Sequence, residues 1–187
     1  MNLFKAFKEI FSFSKRFFVS FAIKLKYSFS LFISGSYIPF SVSIHSSEKS
    51  KLILGKGSRI GKNSIISFLK MSELLIGDNT FIGHYANIRV SKKIIIGKDC
   101  RIAQFVSFIG DNHNFDRTDI PGYLQGVIPE NIIIEDDVWI GTQVVILPGI
   151  TIGKSSIIGA GSIVTKSVPP YSICVGNPAK IIKNRKD

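Results

Sequence analysis

Residues 134–164 read IEDDVWIGTQVVILPGITIGKSSIIGAGSIV, and an aliphatic residue returns at every sixth position. Amphipathic helices repeat at about 3.6 residues and alternating strands at about 2, so a period of six fits neither element. It fits a short strand followed by a tight corner, and repetition at a fixed period indicates a solenoid. The positions in unbroken register are Ile134, Ile140, Ile146, Ile152, Ile158 and Val164.

The same spacing occurs earlier in the chain, in sets of three. With the later positions it makes five sets, which predicts about five coils of three hexads around a triangular prism. The register breaks only after the third member of a set, and the longest break separates Phe108 from Ile134. A β-sandwich with coincidental spacing is the alternative. The earlier positions are Leu54, Ile60, Ile66, Ile76, Ile82, Ile88, Ile96, Ile102 and Phe108.

The register also predicts how the chain is divided. Residues 1–50 are expected to form a basic amphipathic extension and a lead-in strand. Residues 51–170 are expected to form the solenoid, with an excursion loop at 110–133. Residues 171–187 form a C-terminal segment, which is predicted to turn helical toward its end, from Ala179 to Arg185.

Composition limits the class of protein. The chain has 187 residues, of which 45% are hydrophobic and 20% are charged, so it can bury a substantial core. The formal net charge of +11 favours polyanionic or phosphorylated partners, or an acidic membrane surface. Two cysteines do not make a disulfide framework, which fits a reducing compartment and a cytoplasmic location.

The first 26 residues are basic and aromatic. Phenylalanines recur at three- and four-residue steps among lysines, which predicts an amphipathic helix with one aromatic face. Such a helix either lies in the membrane interface or packs on the solenoid or a neighbouring subunit. Charges interrupt it too often for a transmembrane span, and it has no signal-peptide core. The aromatic side chains of this helix cluster on its apolar face and do not interleave with lysines as a base-stacking surface would, so no nucleic-acid partner is predicted.

Three features besides the hexads carry a resemblance to a known family. They are the long interruption that holds His113, the segment DVWIG at 137–141 and the ending GNPAK at 176–180. With them the chain resembles the left-handed β-helix hexapeptide acyltransferases, and among these the O-acetyltransferases of bacterial surface polysaccharides. The resemblance implies an all-β, left-handed parallel β-helix, acetyl-CoA as co-substrate, no metal and a saccharide acceptor. It also implies a homotrimer with active sites between subunits.

His113 is the predicted general base. A hydroxyl is a poor nucleophile toward a thioester unless a base takes its proton, and imidazole titrates near neutrality. His113 stands where the third set of hexads leaves its register, on a polar loop of the kind that carries function. It also corresponds to the catalytic histidine of the family that the chain resembles. Asp111 and Asp116 either orient its imidazole or cap turns. Trp139 resembles the family tryptophan beside the active site; a buried aromatic anchor is the alternative.

The hexads also serve as a coordinate system. Thr142 and Ala160 are 18 residues apart, one coil, and are therefore predicted to lie on the same edge. Both match positions that contact the pantetheine arm of the coenzyme in relatives. Continuing backward along this edge gives Gln104 and then His84, which either faces solvent or binds the acceptor. Tyr85 replaces an acceptor-binding asparagine of sugar-modifying relatives, which argues against a simple galactoside or maltose acceptor.

Basic residues are predicted to hold the nucleotide end of the coenzyme. By resemblance these are Thr165 with Lys166, and Lys180 with Lys183. Arginine is frequent at the last two positions in relatives, and lysine lacks the bidentate fork of arginine. A solvated basic tail is the alternative.

Other functions fit parts of the pattern. Transfer to an amine, such as a nucleotide-linked amino sugar, or to serine would use overlapping motifs, although serine acetyltransferases carry a larger helical N-terminal domain. An alternative function of a different class is that of a non-catalytic solenoid that serves assembly. A zinc enzyme on the same fold needs three converging imidazoles, and the three histidines of this chain are too widely separated.

Overall fold

Short parallel strands build the structure, a computed structural model that describes residues 30–33 and 35–187. The chain winds through six coils. Up to the excursion the strands are β1 (Ser30–Ile33), β2 (Ser43–His45), β3 (Lys51–Leu54), β4 (Arg59–Ile60), β5 (Ile65–Phe68), β6 (Glu73–Ile76), β7 (Phe81–Ile82), β8 (Asn87–Val90), β9 (Lys93–Ile96), β10 (Arg101–Ile102) and β11 (Ser107–Ile109).

An excursion then separates the fourth coil from the fifth. It contains β12 (Asp111–His113), a 3-10 turn (Gly122–Leu124) and β13 (Val127–Pro129). The last two coils and a terminal hairpin follow. Their strands are β14 (Ile132–Ile134), β15 (Trp139–Ile140), β16 (Val145–Ile146), β17 (Thr151–Ile152), β18 (Ile157–Ile158), β19 (Ile163–Val164), β20 (Ser172–Val175) and β21 (Lys180–Asn184).

The strands stack into three sheets, which are the faces of the prism. Sheet I has the order β1-β3-β6-β9-β14-β17, and sheet III runs from β2 through β5, β8, β11 and β16 to β19. Sheet II runs from β4 through β7, β10, β15 and β18 to β20 and β21. Each coil passes from sheet I to II to III, so the chain turns at a I–II, a II–III and a III–I corner. The prediction of an all-β left-handed solenoid is confirmed.

The predicted hexad positions stack inside the prism. Leu54 pairs in register with Ile76, and Ile76 with Ile96, and all three side chains are buried. Successive coils thereby bury one continuous aliphatic core, the main source of stability in such a fold. An inward-facing side chain recurs every six residues because each hexad carries the chain to the next face of the prism.

The solenoid has one coil more than the five predicted. The additional coil contains β1, a bridge from Tyr37 to Arg59, and β2. Ile38 and Ile44 keep the six-residue spacing, but Ile33 precedes Ile38 by only five residues. The period therefore does not mark this coil as a set of three. The predicted domain boundaries at residues 50 and 170 stay predictions.

The predicted C-terminal helix is wrong. Residues 180–184 form strand β21, which pairs antiparallel with β20. The turn at Gly176, with φ of 105°, reverses the chain so that it returns along the free edge of β20. An unpaired strand edge leaves backbone groups without partners, and this pairing satisfies them.

The predicted amphipathic helix of residues 1–26 lies outside the described residues. Within the described part of the chain, no helix has the length and apolar character needed to cross a membrane.

Candidate active site

His113 lies on a hairpin that leaves the prism at the III–I corner. Strand β12 pairs antiparallel with β13, and His113 stands opposite Val127. The Glu130 N–H donates to the Gly110 carbonyl at 2.9 Å and closes the base of the hairpin. The imidazole is exposed, while the His113 backbone N–H donates to the Asn112 side-chain oxygen at 3.1 Å. The hydrogen-bonded hairpin therefore presents the imidazole of His113 to solvent.

Asp111 fastens this hairpin to the preceding coil. Its side chain is buried and accepts hydrogen bonds from Arg89 Nε at 2.9 Å and from Ser91 Oγ at 2.6 Å. Burial raises the pKa of Asp111, but the hydrogen bonds from Arg89 and Ser91, with the charges of Arg89 and His113, outweigh it, so the pKa lies below its usual value. The backbone of the hairpin also packs closely on the preceding coil at Gly110, where a Cβ would lie 2.3 Å from the Arg89 carbonyl oxygen.

The two predicted aspartates therefore differ in position. Asp111 and His113 lie on the same side of β12, because side chains alternate along a strand. Arg89 and Ser91 nevertheless occupy the Asp111 carboxylate, which makes it an anchor of the hairpin. Asp116 is exposed, and its backbone N–H bonds the Asn114 side chain at 3.2 Å. Among the described residues no hydrogen bond joins either carboxylate to the His113 imidazole.

Trp139 is exposed on a different face of the prism. It belongs to β15 in sheet II, pairs with Arg101 and Ile157, and leaves 56% of its surface exposed. Within the single chain, Trp139 is therefore not buried as an aromatic anchor would be. Trp139 lines an open cleft of about 390 Å³. Sheet II is opposite the III–I corner, so one chain does not bring Trp139 and His113 together. The other residues of the cleft are Asp99, Arg101, Asp137, Val138, Ile157 and Arg185.

A column of residues at the II–III corner, which we call the donor column, confirms the predicted alignment of Thr142 with Ala160. The Gly161 N–H donates to the Thr142 carbonyl at 2.8 Å, and the Gln143 N–H donates to the Gln104 carbonyl at 3.2 Å. Thr142 Oγ1 also donates to the Gln104 carbonyl at 2.9 Å. Small residues at the lower end leave space for a narrow chain to approach the backbone. The members of the donor column are Lys62, His84, Gln104, Thr142 and Ala160.

The basic residues fall into two groups. Thr165 and Lys166 are exposed after β19 at the III–I corner of the last coil. Lys180 pairs with Val175 and Lys183 with Ile173, because the register shifts between Ile173 and Cys174. Directly paired residues share a face, so this bulge places Lys180 and Lys183 on the same side of the hairpin.

His84 and Tyr85 occupy the upper part of the same corner. The Lys62 N–H donates to His84 Nδ1 at 2.8 Å. The Tyr85 ring stacks on the ring of Phe105, with centroids 5.0 Å apart and planes at 7°. Within residues 30–33 and 35–187, no three histidine, cysteine, aspartate or glutamate side chains group as metal ligands would.

Comparisons with known proteins support the family indicated by these features. The profile described as bacterial transferase hexapeptide (six repeats) matches residues 131–166. The solved structure of the polySia-specific acetyltransferase NeuO is 30% identical, and the match covers 84% of this chain and 81% of that one, with a TM-score of 0.55. The chain belongs to the hexapeptide-repeat transferases.

Other hexapeptide-repeat transferases match over different lengths. A probable acetyltransferase of Mycobacterium tuberculosis is 33% identical over 158 residues, which are 76% of this chain and 53% of the relative. This chain thus spans about half the length of that curated relative. An N-acyltransferase from Bacillus cereus, solved with dTDP-4-amino-4,6-dideoxyglucose and coenzyme A, superposes with a TM-score of 0.73 over 89% of this chain and 88% of its own. Its identity of 24% shows a shared fold alone.

The structure adds residues to this hexapeptide-repeat site that the sequence did not indicate. Arg89 and Ser91 hold Asp111, and Phe105 stacks on Tyr85. The one available signal for Phe105 was its spacing from Tyr85, which is one coil plus the two-residue insertion after Ile88.

Replacing Asp111 by asparagine is expected to destabilise the folded chain by about 1–3 kcal/mol at pH 7, because Arg89 and Ser91 lose a charged acceptor. The folded pKa lies below the unfolded one. The stabilisation by Asp111 is therefore complete above its unfolded pKa, near pH 4, and is lost as the pH falls through the folded pKa. Urea unfolding at several pH values measures this loss. Asp116→Asn, an exposed change in the same loop, is the control. If the unfolding free energy of Asp111→Asn depends on pH in the same way as that of the wild type, the anchoring role is wrong.

Proposed function

We propose that the chain is an O-acetyltransferase that moves acetyl from acetyl-CoA to a hydroxyl of a bacterial surface saccharide or its precursor. The observation that carries this proposal is the exposed imidazole of His113 on a hairpin anchored by Asp111. The donor column supplies a second element, a rigid edge with small residues. The name of NeuO, a polySia-specific acetyltransferase, supports a saccharide acceptor.

The reaction follows from the chemistry of a neutral imidazole. A ring nitrogen of His113 takes the proton of the acceptor hydroxyl while its oxygen attacks the acetyl carbonyl carbon. A carbon–oxygen bond forms and the carbon–sulfur bond of the thioester breaks. The proton on His113 then passes to the departing thiolate. Both cysteines are buried, and burial raises the pKa of each thiol, so we propose direct transfer without an acyl-cysteine intermediate.

We further propose that the active site forms between copies in a homotrimer. His113 leaves one corner of the prism, and Trp139 lies on the opposite face of the same chain. A site that uses both residues therefore needs a second copy. A closed ring of three such contacts satisfies every copy equally.

Lys180 and Lys183 are proposed to hold the phosphates of the coenzyme. They share one face of the terminal hairpin, next to the last level of the donor column. Lys180→Glu is expected to raise the KM for acetyl-CoA about fivefold, since an exposed ion pair contributes up to about 1 kcal/mol. The KM for acetyl-pantetheine, which lacks the nucleotide, should not change. Lys56→Glu at the I–II corner is the control. Equal effects on both donors argue against phosphate binding.

An acceptor screen tests the proposed function as a whole. Purified chain, acetyl-CoA and a panel of saccharides, nucleotide-linked amino sugars and serine are followed by release of free thiol. Mass spectrometry then places the acetyl group on oxygen or nitrogen. Acetyl on a saccharide oxygen supports the proposal. Acetyl on an amine identifies an N-acetyltransferase. If no acceptor in the panel supports release of thiol, both the O-acetyltransferase and the N-acetyltransferase functions are rejected.

Residues 1–26 are proposed to contact the inner surface of the cytoplasmic membrane, on the basis of their basic and aromatic sequence. Sedimentation with anionic lipid vesicles tests this role, and equal binding of a chain without these residues rejects it.

A further inference from the structure

The first coil of the solenoid differs from the other five in its composition. Residues 30–47 contain no lysine, arginine, aspartate or glutamate, and serine and aliphatic residues predominate. Each of the five later coils contains at least two of these charged residues. The terminal repeats of a solenoid need a polar outer face where they meet water. An uncharged first coil therefore suits an environment that is less polar than water.

Two aromatic side chains of the first coil are exposed. Phe40 leaves 84% of its surface accessible, and Tyr37 leaves 41%. Phe40 stands in a tight turn at the II–III corner, where the Val42 N–H donates to the Pro39 carbonyl at 3.1 Å. Its exposed ring forgoes the stabilisation that burial of a phenylalanine provides. The end of the prism thus presents an aromatic ring without charged neighbours in its own coil.

The second coil carries six cationic side chains, which we call the basic collar. No aspartate or glutamate lies between Glu48 and Glu73. Lys70 pairs with Glu48 at 3.0 Å and Lys51 pairs with Glu73 at 2.8 Å, whereas the other four cations make no ion pair within residues 30–33 and 35–187. All six are exposed, and they occupy sheets I and II and all three corners. The members of the basic collar are Lys49, Lys51, Lys56, Arg59, Lys62 and Lys70.

We propose that the first-coil end of the solenoid docks on an anionic lipid surface. Phe40 and Tyr37 enter the boundary between headgroups and acyl chains, where aromatic side chains are favoured. The basic collar lies one coil behind them, about 5 Å away, and contacts the lipid phosphates. Strand β1 begins at Ser30 in the same coil, so residues 1–29 join the fold at the docking end.

Docking of the folded coils extends the membrane contact proposed for residues 1–26, but it rests on different residues and is independent of acetyl transfer. The proposed homotrimer favours it. A threefold axis along the prisms places the three first coils at one end of the particle, where they meet the same surface. Three weak contacts on one particle then act together.

Sedimentation of the full chain with phosphatidylglycerol vesicles at physiological salt tests the basic collar, with phosphatidylcholine vesicles as the neutral comparison. Lys56→Glu is expected to weaken binding to the anionic vesicles at least about fivefold, because it removes and reverses one attraction. Lys98→Glu is the matched control. Both lysines are exposed at the I–II corner, and each donates its backbone N–H to an aspartate of the next coil, Asp78 and Asp136 respectively.

Lys98 lies in the fourth coil, about 10 Å farther from the docking end than Lys56. This exceeds the screening length of about 8 Å at physiological salt, so Lys98→Glu should bind within about twofold of the wild type. Equal weakening by the two variants would indicate an effect of net charge alone and would overturn the proposal.

Phe40→Ser tests the apolar contact. It is expected to weaken binding to the anionic vesicles at least about fivefold, because the buried aromatic ring is lost. Phe115→Ser, a change of an equally exposed phenylalanine on the excursion, is the control and should leave binding unchanged. Both side chains are exposed, so circular dichroism should show the same Tm for the two variants.

The remaining outcomes separate this proposal from the one on residues 1–26. If Lys56→Glu weakens binding and Phe40→Ser does not, the collar binds anions without membrane docking, and the proposal is wrong. If neither variant changes binding but deletion of residues 1–26 abolishes it, those residues act alone. If the wild type does not sediment with anionic vesicles, both membrane proposals are rejected.

Discussion

Replacing His113 by alanine is expected to lower kcat for acetyl transfer by at least about 100-fold, because general-base catalysis typically contributes 100- to 10,000-fold. The change removes an exposed side chain, so the hairpin between β12 and β13 should keep its hydrogen bonds and the chain its stability. Binding of acetyl-CoA should change little, since the donor column lies at a different corner of the prism. Thiol release at saturating acetyl-CoA, with an acceptor found in the screen, gives kcat.

His45→Ala is the matched control for this experiment. His45 is also an exposed histidine, but it lies on β2 of sheet III in the first coil, far along the prism from the hairpin. Its replacement should leave kcat within about twofold of the wild type. If His113→Ala keeps kcat within about tenfold, a different group removes the proton and the assignment is wrong.

Replacing Gly83 by alanine is expected to destabilise the fold by about 3 kcal/mol or more, at the upper end of overpacking effects. A Cβ at this position would lie 2.5 Å from the Ala103 carbonyl carbon and from the Gln104 nitrogen. Both atoms are backbone, held in place by the hydrogen bond from the Gly83 N–H to the Ile102 carbonyl at 2.8 Å. The clash can therefore be relieved only if the two coils separate, because rotation of a side chain does not move these backbone atoms.

Thermal unfolding followed by circular dichroism measures this effect. A loss of this size corresponds to a fall in Tm of roughly 6–12 °C for a chain of this length. Gly122→Ala is the control, because a Cβ there meets no atom within 4 Å. A Tm for Gly83→Ala within about 2 °C of the wild type would show that the coils yield more easily than the close contacts indicate.

The sequence predicted those parts of the structure that a fixed period determines. It placed Leu54, Ile76 and Ile96 in one buried stack, and it aligned Thr142 with Ala160 across a coil. An inward side chain in this fold is set by counting residues alone, since each hexad contributes one strand and one corner. The same counting located His113 at the longest interruption.

Contacts that cross an irregular corner could not be predicted in this way. Arg89 and Ser91 reach Asp111 because the excursion folds back on the preceding coil, and its path depends on packing that no period encodes. The C-terminal segment was predicted as a helix because its short apolar and basic run fits both elements. The open edge of β20 decides for a strand, and that edge exists only once the solenoid has formed.

Strand β21 runs opposite to the other strands of sheet II. A parallel solenoid resembles a segment of a filament, because its last coil presents the hydrogen-bonding pattern that a first coil of another molecule would match. At sheet II, however, strand β21 already takes the place beside β20 that the sheet II strand of a further coil would need. The terminal hairpin therefore prevents a further coil from continuing the parallel stacking at this face.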